Sequence, residues 1–462
     1  MSASLTARVP LLSPVDPTLV VRAWAADRPL AAWGLGDESR WSRWAIIAEP
    51  VAAERVPWRE LAFGTGLGMA PPSDDEPPFS GGSLICLPFD AGYAVEPAAR
   101  DAGAMSGERA DAAWLWRCPR ALCFDKQLKR WWRVGAGAHE SDHSCEAMRA
   151  LQRASEVVRT SLGESERGGT SPTPTLRPSP PSRGELDASR ARFLAMVTRA
   201  RELIFAGDVY QVNLAHRLDC TFAGSPRALL ARLLADGRPW YGALMELPTG
   251  EAIVSASPEL HLSLDAKTRS VTTRPMKGTR PLEQRLELHD SGKDGAELAM
   301  IVDLMRNDLG RVCEFGSVRV ESGRELESHG PLSQGVGTVS GRLRDGLGLR
   351  DLIESVFPAG SVTGAPKIRA MQIIQELEQA PRGVYCGSLG FLSDCGNMAL
   401  SVAIRTAFVR ALSSPARSPA SHRVEYWIGA GIVADSDPEQ EWIETLLKSS
   451  VLLGERWWHQ VC

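Results

Sequence analysis

The chain has no apolar run of about 18 residues, so no membrane-spanning helix is expected. It has no excess of either charge. Against 52 Lys and Arg stand 56 Asp and Glu, a formal net charge of −4. Neither nucleic acid nor an anionic membrane is therefore expected as the main partner. There is no Cys-x-x-Cys pair. Nine cysteines are scattered from Cys86 to Cys462. An odd count without metal-ligand spacing reads as free thiols, mainly small buried hydrophobes, in a reducing, cytoplasmic setting. No signal peptide is expected, because Pro10, Pro14, Asp16 and Pro17 break the apolar patches of Met1 to Leu30. No internal repeat is visible. His216, His261 and His329 have neither metal spacing nor a triad partner, and no role is assigned to them.

What is present is an ordinary globular composition, 44% hydrophobic and 23% charged over 462 residues. That length predicts roughly three domains or one large composite body. The sharpest shift in composition is SLGESERGGTSPTPTLRPSPPSRGE, a Pro/Ser-rich linker over 161–185. It divides an N-terminal part (1–160) from a C-terminal part (186–455). A strand is expected at Trp44 to Ala48. Beyond the linker, helical periodicity predicts Ser189 to Ala206 (Ser189 as cap), Ala296 to Leu309, Pro366 to Gln379 and Pro438 to Leu453 (Asp437 as cap). Strands are expected at Val209 to Leu218, Ala252 to Leu264 and Ser270 to Thr273. Another is expected over Met398 to Val409, with Arg405 beside Ser401 and Ala403 on one face.

On the last helix, Glu441, Glu444 and Lys448 fall at i, i+3 and i+7 and share a face. Spacing alone leaves two readings open. One is a solvated acidic stripe paired to Lys448. The other is a set of carboxylates that shares a hard cation such as Mg2+, with Glu297 as a third. FPAGSVTGAPK and GAGIVADSDP are glycine-rich turns that lead into helices. Such turns are often only turns, but their free N–H groups also suit anions. Arg405 is either a buried ion-pair partner or a two-pronged grip for a carboxylate. In TTRPMKGTRP, Lys277 lies beside Arg274 and Arg280. It is a surface lysine of a basic turn, or an amine made nucleophilic by crowded cations. Glu259, in SASPEL, is a candidate general acid.

Taken together and in order, several segments resemble one family, the chorismate-utilising enzymes. They are FAGDVYQVNLAHRL, SASPEL, TRPMKGTRP, AELAMIVDLMRNDLGRV, FPAGSVTGAPKIRAMQIIQELE, GSLGF, IRT and GIVADSDPEQEWIET. The resemblance covers about 186–453 and is faint before the linker. It implies an α+β fold, an α/β sandwich of two large packed antiparallel sheets flanked by helices. The site between the sheets would depend on Mg2+. Gln211 stands where members that add water to chorismate carry a lysine base, which implies ammonia as the nucleophile. Lys277 stands where anthranilate synthases have a small residue. A lysine there resembles component I of aminodeoxychorismate synthase, on the route to 4-aminobenzoate and folate. The alternatives are anthranilate synthase component I and a non-catalytic relative that binds chorismate or tryptophan.

The resemblance implies these roles. Mg2+ held by Glu297 and Glu444, with Glu441 nearby, clamps the ring carboxylate. Arg405 and the amides at Gly429 and Gly431 bind the other carboxylate. Lys277 adds to the ring while Glu259 protonates the leaving hydroxyl. Gln211, Thr363, Gly364 and Lys448 line the pocket. Three positions depart from the family pattern: Gln334 replaces a histidine, Gly337 a serine, and Ala430 a glycine. No nucleophile elbow surrounds the N-terminal cysteines. A separate glutamine amidotransferase is therefore expected to deliver ammonia, and a separate lyase to act downstream.

Overall fold

The computed structural model describes residues 6–11, 13, 15–61, 72–100, 112–136, 145–164, 177–378, 380–412, 421–454 and 457. Among them the strands form an eleven-stranded and a ten-stranded sheet, antiparallel at every pairing. Side chains alternate across each strand, and both faces of the central strands are buried. Trp33, Ile46 and Leu84 join Tyr241, Met245 and Phe391 in a core between the sheets. Their neighbours Ala32, Ile47 and Ile85 point outward, into two further cores under the flanking helices. This is the layered sandwich with helices on its outer faces.

Strands from before and after the Pro/Ser-rich segment complete the same sheets. Ala31–Leu35 pairs with Tyr241–Glu246, and Gly82–Leu87 with Ser388–Ser393. Of the segment itself, 165–176 lies outside the described residues. Its two ends are helical. Glu146–Glu164 runs into it, and Arg183–Phe205 begins inside it. The cap of that second helix is Ser182, not Ser189, because Ser182 and Glu185 close a reciprocal capping box. Trp44–Ala48, Ser270–Thr273 and the Asp437 cap stand as expected from the sequence.

Two expected strands are each two strands. Ala252–Ser257 belongs to the larger sheet and Leu260–Leu264 to the smaller. Met398–Val402 belongs to the smaller sheet and Thr406–Ala411 to the larger. The chain changes sheet at Pro258–Glu259 and again at 403–405. At the second crossing Arg405 takes φ of 50°, a left-handed conformation that no continuous strand allows. The expected face shared by Ser401, Ala403 and Arg405 is thereby broken. Ser401 donates to Leu389 O and receives Trp33 Nε1, away from Arg405.

The eight described cysteines are free, and all but Cys145 are buried. Among the described residues no helix is long and apolar enough to cross a membrane.

Candidate active site

The two crossings place side chains at one end of the inter-sheet space. Glu259 is 3% exposed. Ser361 Oγ donates to its Oε1 at 2.5 Å. Burial pushes its carboxyl up to about 7, against the pull of Ser361, Lys277, the Met276 N–H and Arg405. Near neutral pH this carboxyl is therefore poised to hold or release a proton.

Lys277 comes from Met276–Pro281, paired with Leu332–Arg342 and bulged beside Gly278. Its amine faces the cavity that Glu259, Glu297, Glu444 and Lys448 also line. Among the described residues no hydrogen bond or ion pair holds it. Burial lowers its pKa and Lys448 lowers it further, while Glu297, Glu259 and Glu444 pull the other way. The neighbouring arginines are not the cause, contrary to the sequence reading. Arg274 turns away, bonded to Glu327 at 2.5 Å and stacked on Trp41. Arg280 is paired with Asp294 at 3.0 Å.

Gly431 explains how the amine fits. A Cβ there would lie 2.3 Å from Gln211 Nε2 and 2.9 Å from Lys277 Nζ. Along His422–Ile432, Gly429 and Gly431 face the cavity, while Ala430 points into the helix-side core with Leu214 and Ile432. The alanine in GAGI thus sits away from the carboxylate-facing side. Gly337 does not line the cavity either, and its Cβ position lies only 2.4 Å from Val302 Cγ2.

Acidic side chains enter from two helices. Gly292–Gly310 carries Glu297, and Pro438–Lys448 carries Glu441 and Glu444. Burial raises Glu297, and its neighbours Lys277 and Lys293 oppose the rise. Burial and the Glu444 charge push Glu441 up to about 7. Burial would also raise Glu444, but Lys448, Arg280 and Lys277 more than offset it and hold it below the usual value. Lys448 reaches Glu444 at 2.7 Å and Gly429 O at 2.8 Å. Lys293 lies 3.6 Å from Glu441. Among the described residues no three His, Cys, Asp or Glu side chains form a ready metal cluster. The donor set nevertheless fits a hard cation: desolvated carboxylates in one cavity, balanced now by lysines. Mg2+ needs only one or two protein carboxylates besides water and substrate oxygens.

Arg405 is 6% exposed. Its Nη2 donates to Gln334 Oε1 at 2.8 Å, and its Nη1 has no partner among the described residues. Among the described residues it makes no ion pair, and burial lowers its pKa to about 10. A buried guanidinium without an anion is costly unless a ligand supplies one.

Three expected lining residues are placed differently. The Thr363 hydroxyl donates to Ala359 O at 3.0 Å, inside its own turn. Gly364, at φ of 143°, packs on Gln211 O in a short strand and does not line the cavity. Gln211 lies behind Gly431, fully buried, with neither amide atom paired among the described residues. Reasoning from the sequence missed Ser361, Asn213, Tyr385, Tyr426 and Lys293, which do line it. Ser361 and Asn213 lie within the segments that carry the resemblance. Tyr426 precedes Gly429 and Gly431 on their strand. Lys293 has no signal at all.

A family model described as chorismate binding enzyme matches residues 34–454. Anthranilate synthase component 1 of Streptomyces coelicolor is 36% identical over 82% of this chain and 73% of its own length. Aminodeoxychorismate synthase component 1 of Klebsiella aerogenes is 35% identical over 82% of this chain and 78% of its own length. The crystal structure of anthranilate synthase component I from Streptococcus pneumoniae superposes with a TM-score of 0.67 at 27% identity, over 96% of this chain and 98% of that one. That family model spans most of the chain and the whole of this cavity, and the chain belongs to the chorismate binding enzymes.

Proposed function

We propose that this protein is component I of an aminodeoxychorismate synthase, which replaces the C4 hydroxyl of chorismate with an amino group. The observation that carries the reading is Lys277, whose untethered amine faces the cavity shared with Glu259 and the carboxylates. A purely binding relative has no use for such an amine. Relatives named for anthranilate synthesis are as similar overall as those named for aminodeoxychorismate synthesis. The choice therefore rests on this residue.

In this reading Arg405 takes the carboxylate of the enolpyruvyl side chain. Mg2+ held by Glu297 and Glu444, with Glu441 nearby, supplies charge neutralisation at the ring carboxylate when bound. The Lys277 amine adds at C2, the ring double bonds shift, and the C4–O bond breaks. Glu259 gives its proton to the departing hydroxyl, which leaves as water. Ammonia then adds at C4, the double bonds shift back, and the C2–N bond breaks to free the lysine. Two displacements replace one difficult exchange. Ammonia would come from a separate glutamine amidotransferase, and release of pyruvate would fall to a separate lyase.

The test is product analysis. Protein, chorismate, Mg2+ and ammonium are incubated with and without an aminodeoxychorismate lyase. Formation of 4-aminobenzoate only when lyase is added supports the proposal. Fluorescent 2-aminobenzoate formed without lyase would assign the chain to anthranilate synthesis instead. Absence of turnover with an active amidotransferase present would make it a binder.

A further inference from the structure

Among the described residues the Arg405 guanidinium has one hydrogen-bond partner, Gln334. Gln334 sits on Leu332–Arg342, opposite Thr279 of the strand that carries Lys277. It is 6% exposed and lines the cavity. Its Oε1 receives Arg405 Nη2 at 2.8 Å, while Nη1 has no partner among the described residues. The backbone of Arg405 is fixed independently, because its carbonyl accepts from Ala256 N at 3.0 Å. The guanidinium end has no other hydrogen bond among the described residues. The partner is an amide, which accepts without a charge of its own. An acidic residue at 334 would also orient the guanidinium, but it would cancel the charge that a ligand needs.

We propose that Gln334 is the positioning residue of the carboxylate grip: it anchors one edge of the Arg405 guanidinium and leaves the opposite edge, Nη1, charged and free for a substrate carboxylate. This deepens the proposed function and rests on its assignment of a dicarboxylic substrate to this cavity.

The test uses the full chain and a double-mutant cycle. Chorismate affinity is read from quenching of tryptophan fluorescence, since Trp427 lines the cavity. KM and kcat are measured alongside. Gln334→Met is expected to weaken binding at least about tenfold, the usual scale for a hydrogen bond to a charged group. The change should appear in KM more than in kcat. Gln334→Glu, of nearly the same shape, is expected to weaken it further by neutralising Arg405. In an Arg405→Met background, Gln334→Met is expected to cost nothing more, because it acts through the arginine. Wild-type affinity in Gln334→Met, or a full additional loss in the double variant, overturns the proposal. If Gln334→Met does not fold, as judged by its melting curve, unchanged affinity in Gln334→Glu overturns it equally. A wild type that binds chorismate but forms no 4-amino product fails the functional reading and leaves the positioning result standing. A wild type that does not bind chorismate overturns both.

Discussion

Glu259 and Arg405 occupy the two points where the chain passes between the sheets, and each is tied to the strand beside the other. Glu259 O accepts from Val402 N, and Arg405 O accepts from Ala256 N, both at 3.0 Å. Val402 and Ala256 are themselves the neighbourhoods of the two crossings. The acid and the guanidinium are therefore set by one shared piece of backbone, with no flexible loop between them. Of the two, Arg405 takes the left-handed φ, where a non-glycine residue is uncommon.

The acid should show itself in a pH profile. The Glu259 proton is the one donated, so kcat is expected to fall as pH rises through about 7. The Ser361 hydroxyl favours the ionised form and holds that value down. Ser361→Ala should therefore move the alkaline limb to higher pH, and Glu259→Gln should remove the limb and cut kcat by roughly 10²–10⁴-fold. A limb that stays in place in Ser361→Ala would separate the titration from Glu259.

Lys277→Ala is expected to abolish amination while chorismate still quenches tryptophan fluorescence with near-normal affinity. The charge lost is only one of several cations around the site, with Arg405, Lys448 and Lys293 remaining. Full turnover in this variant would take the covalent step out of the mechanism.

Two glycine substitutions should separate function from stability. In Gly431→Ala the new methyl meets the ends of Gln211 and Lys277, side chains that can move. Activity is expected to fall with little change in melting temperature. In Gly364→Ala the methyl would come within 2.1 Å of the Gln211 carbonyl at φ of 143°. That is backbone against backbone, and a loss of at least about 1–3 kcal/mol is expected from the strain alone. Comparable denaturant midpoints for the two variants would contradict this contrast.

Arg382 and Glu378 form an ion pair at 2.6 Å with both side chains 1% exposed. Arg382 also donates to Val362 O and Asn213 O and covers the Phe89 ring. Arg382→Met strands a buried carboxylate and should cost about 3–5 kcal/mol, measured by urea unfolding. Because Val362 and Asn213 line the cavity, chorismate affinity should fall as well.

Much of the last helix was legible from the sequence. The Asp437 cap, Pro438 in the first turn and the shared face of Glu441, Glu444 and Lys448 follow from 3.6-residue periodicity, which acts within a few turns. The same local logic failed where a strand ends by changing sheet. Met398 to Val409 alternates without a break in sequence, yet 403–405 is a crossing. Nothing in a period of two records which sheet a strand joins. The Ser189 cap failed for another local reason: Ser182 and Glu185 make a better-paired terminus seven residues earlier.

The layered sheets with helices outside, and the choice of Glu259, Lys277, Glu297, Arg405, Glu441 and Glu444, followed from an ordered set of segments that resembles the chorismate-utilising enzymes. Polarity and periodicity alone marked these side chains as candidates and left a purely structural reading open beside the chemical one. What only folding decided is which of them meet, what surrounds each, and so how each titrates. Lys277 is depressed first by burial and next by Lys448, 171 positions away in sequence, and not by the arginines beside it. Thr363 spends its hydroxyl on its own turn, and Ser361 serves the acid instead. Desolvation and charge pairing depend on distance through space, which no local pattern of residues contains.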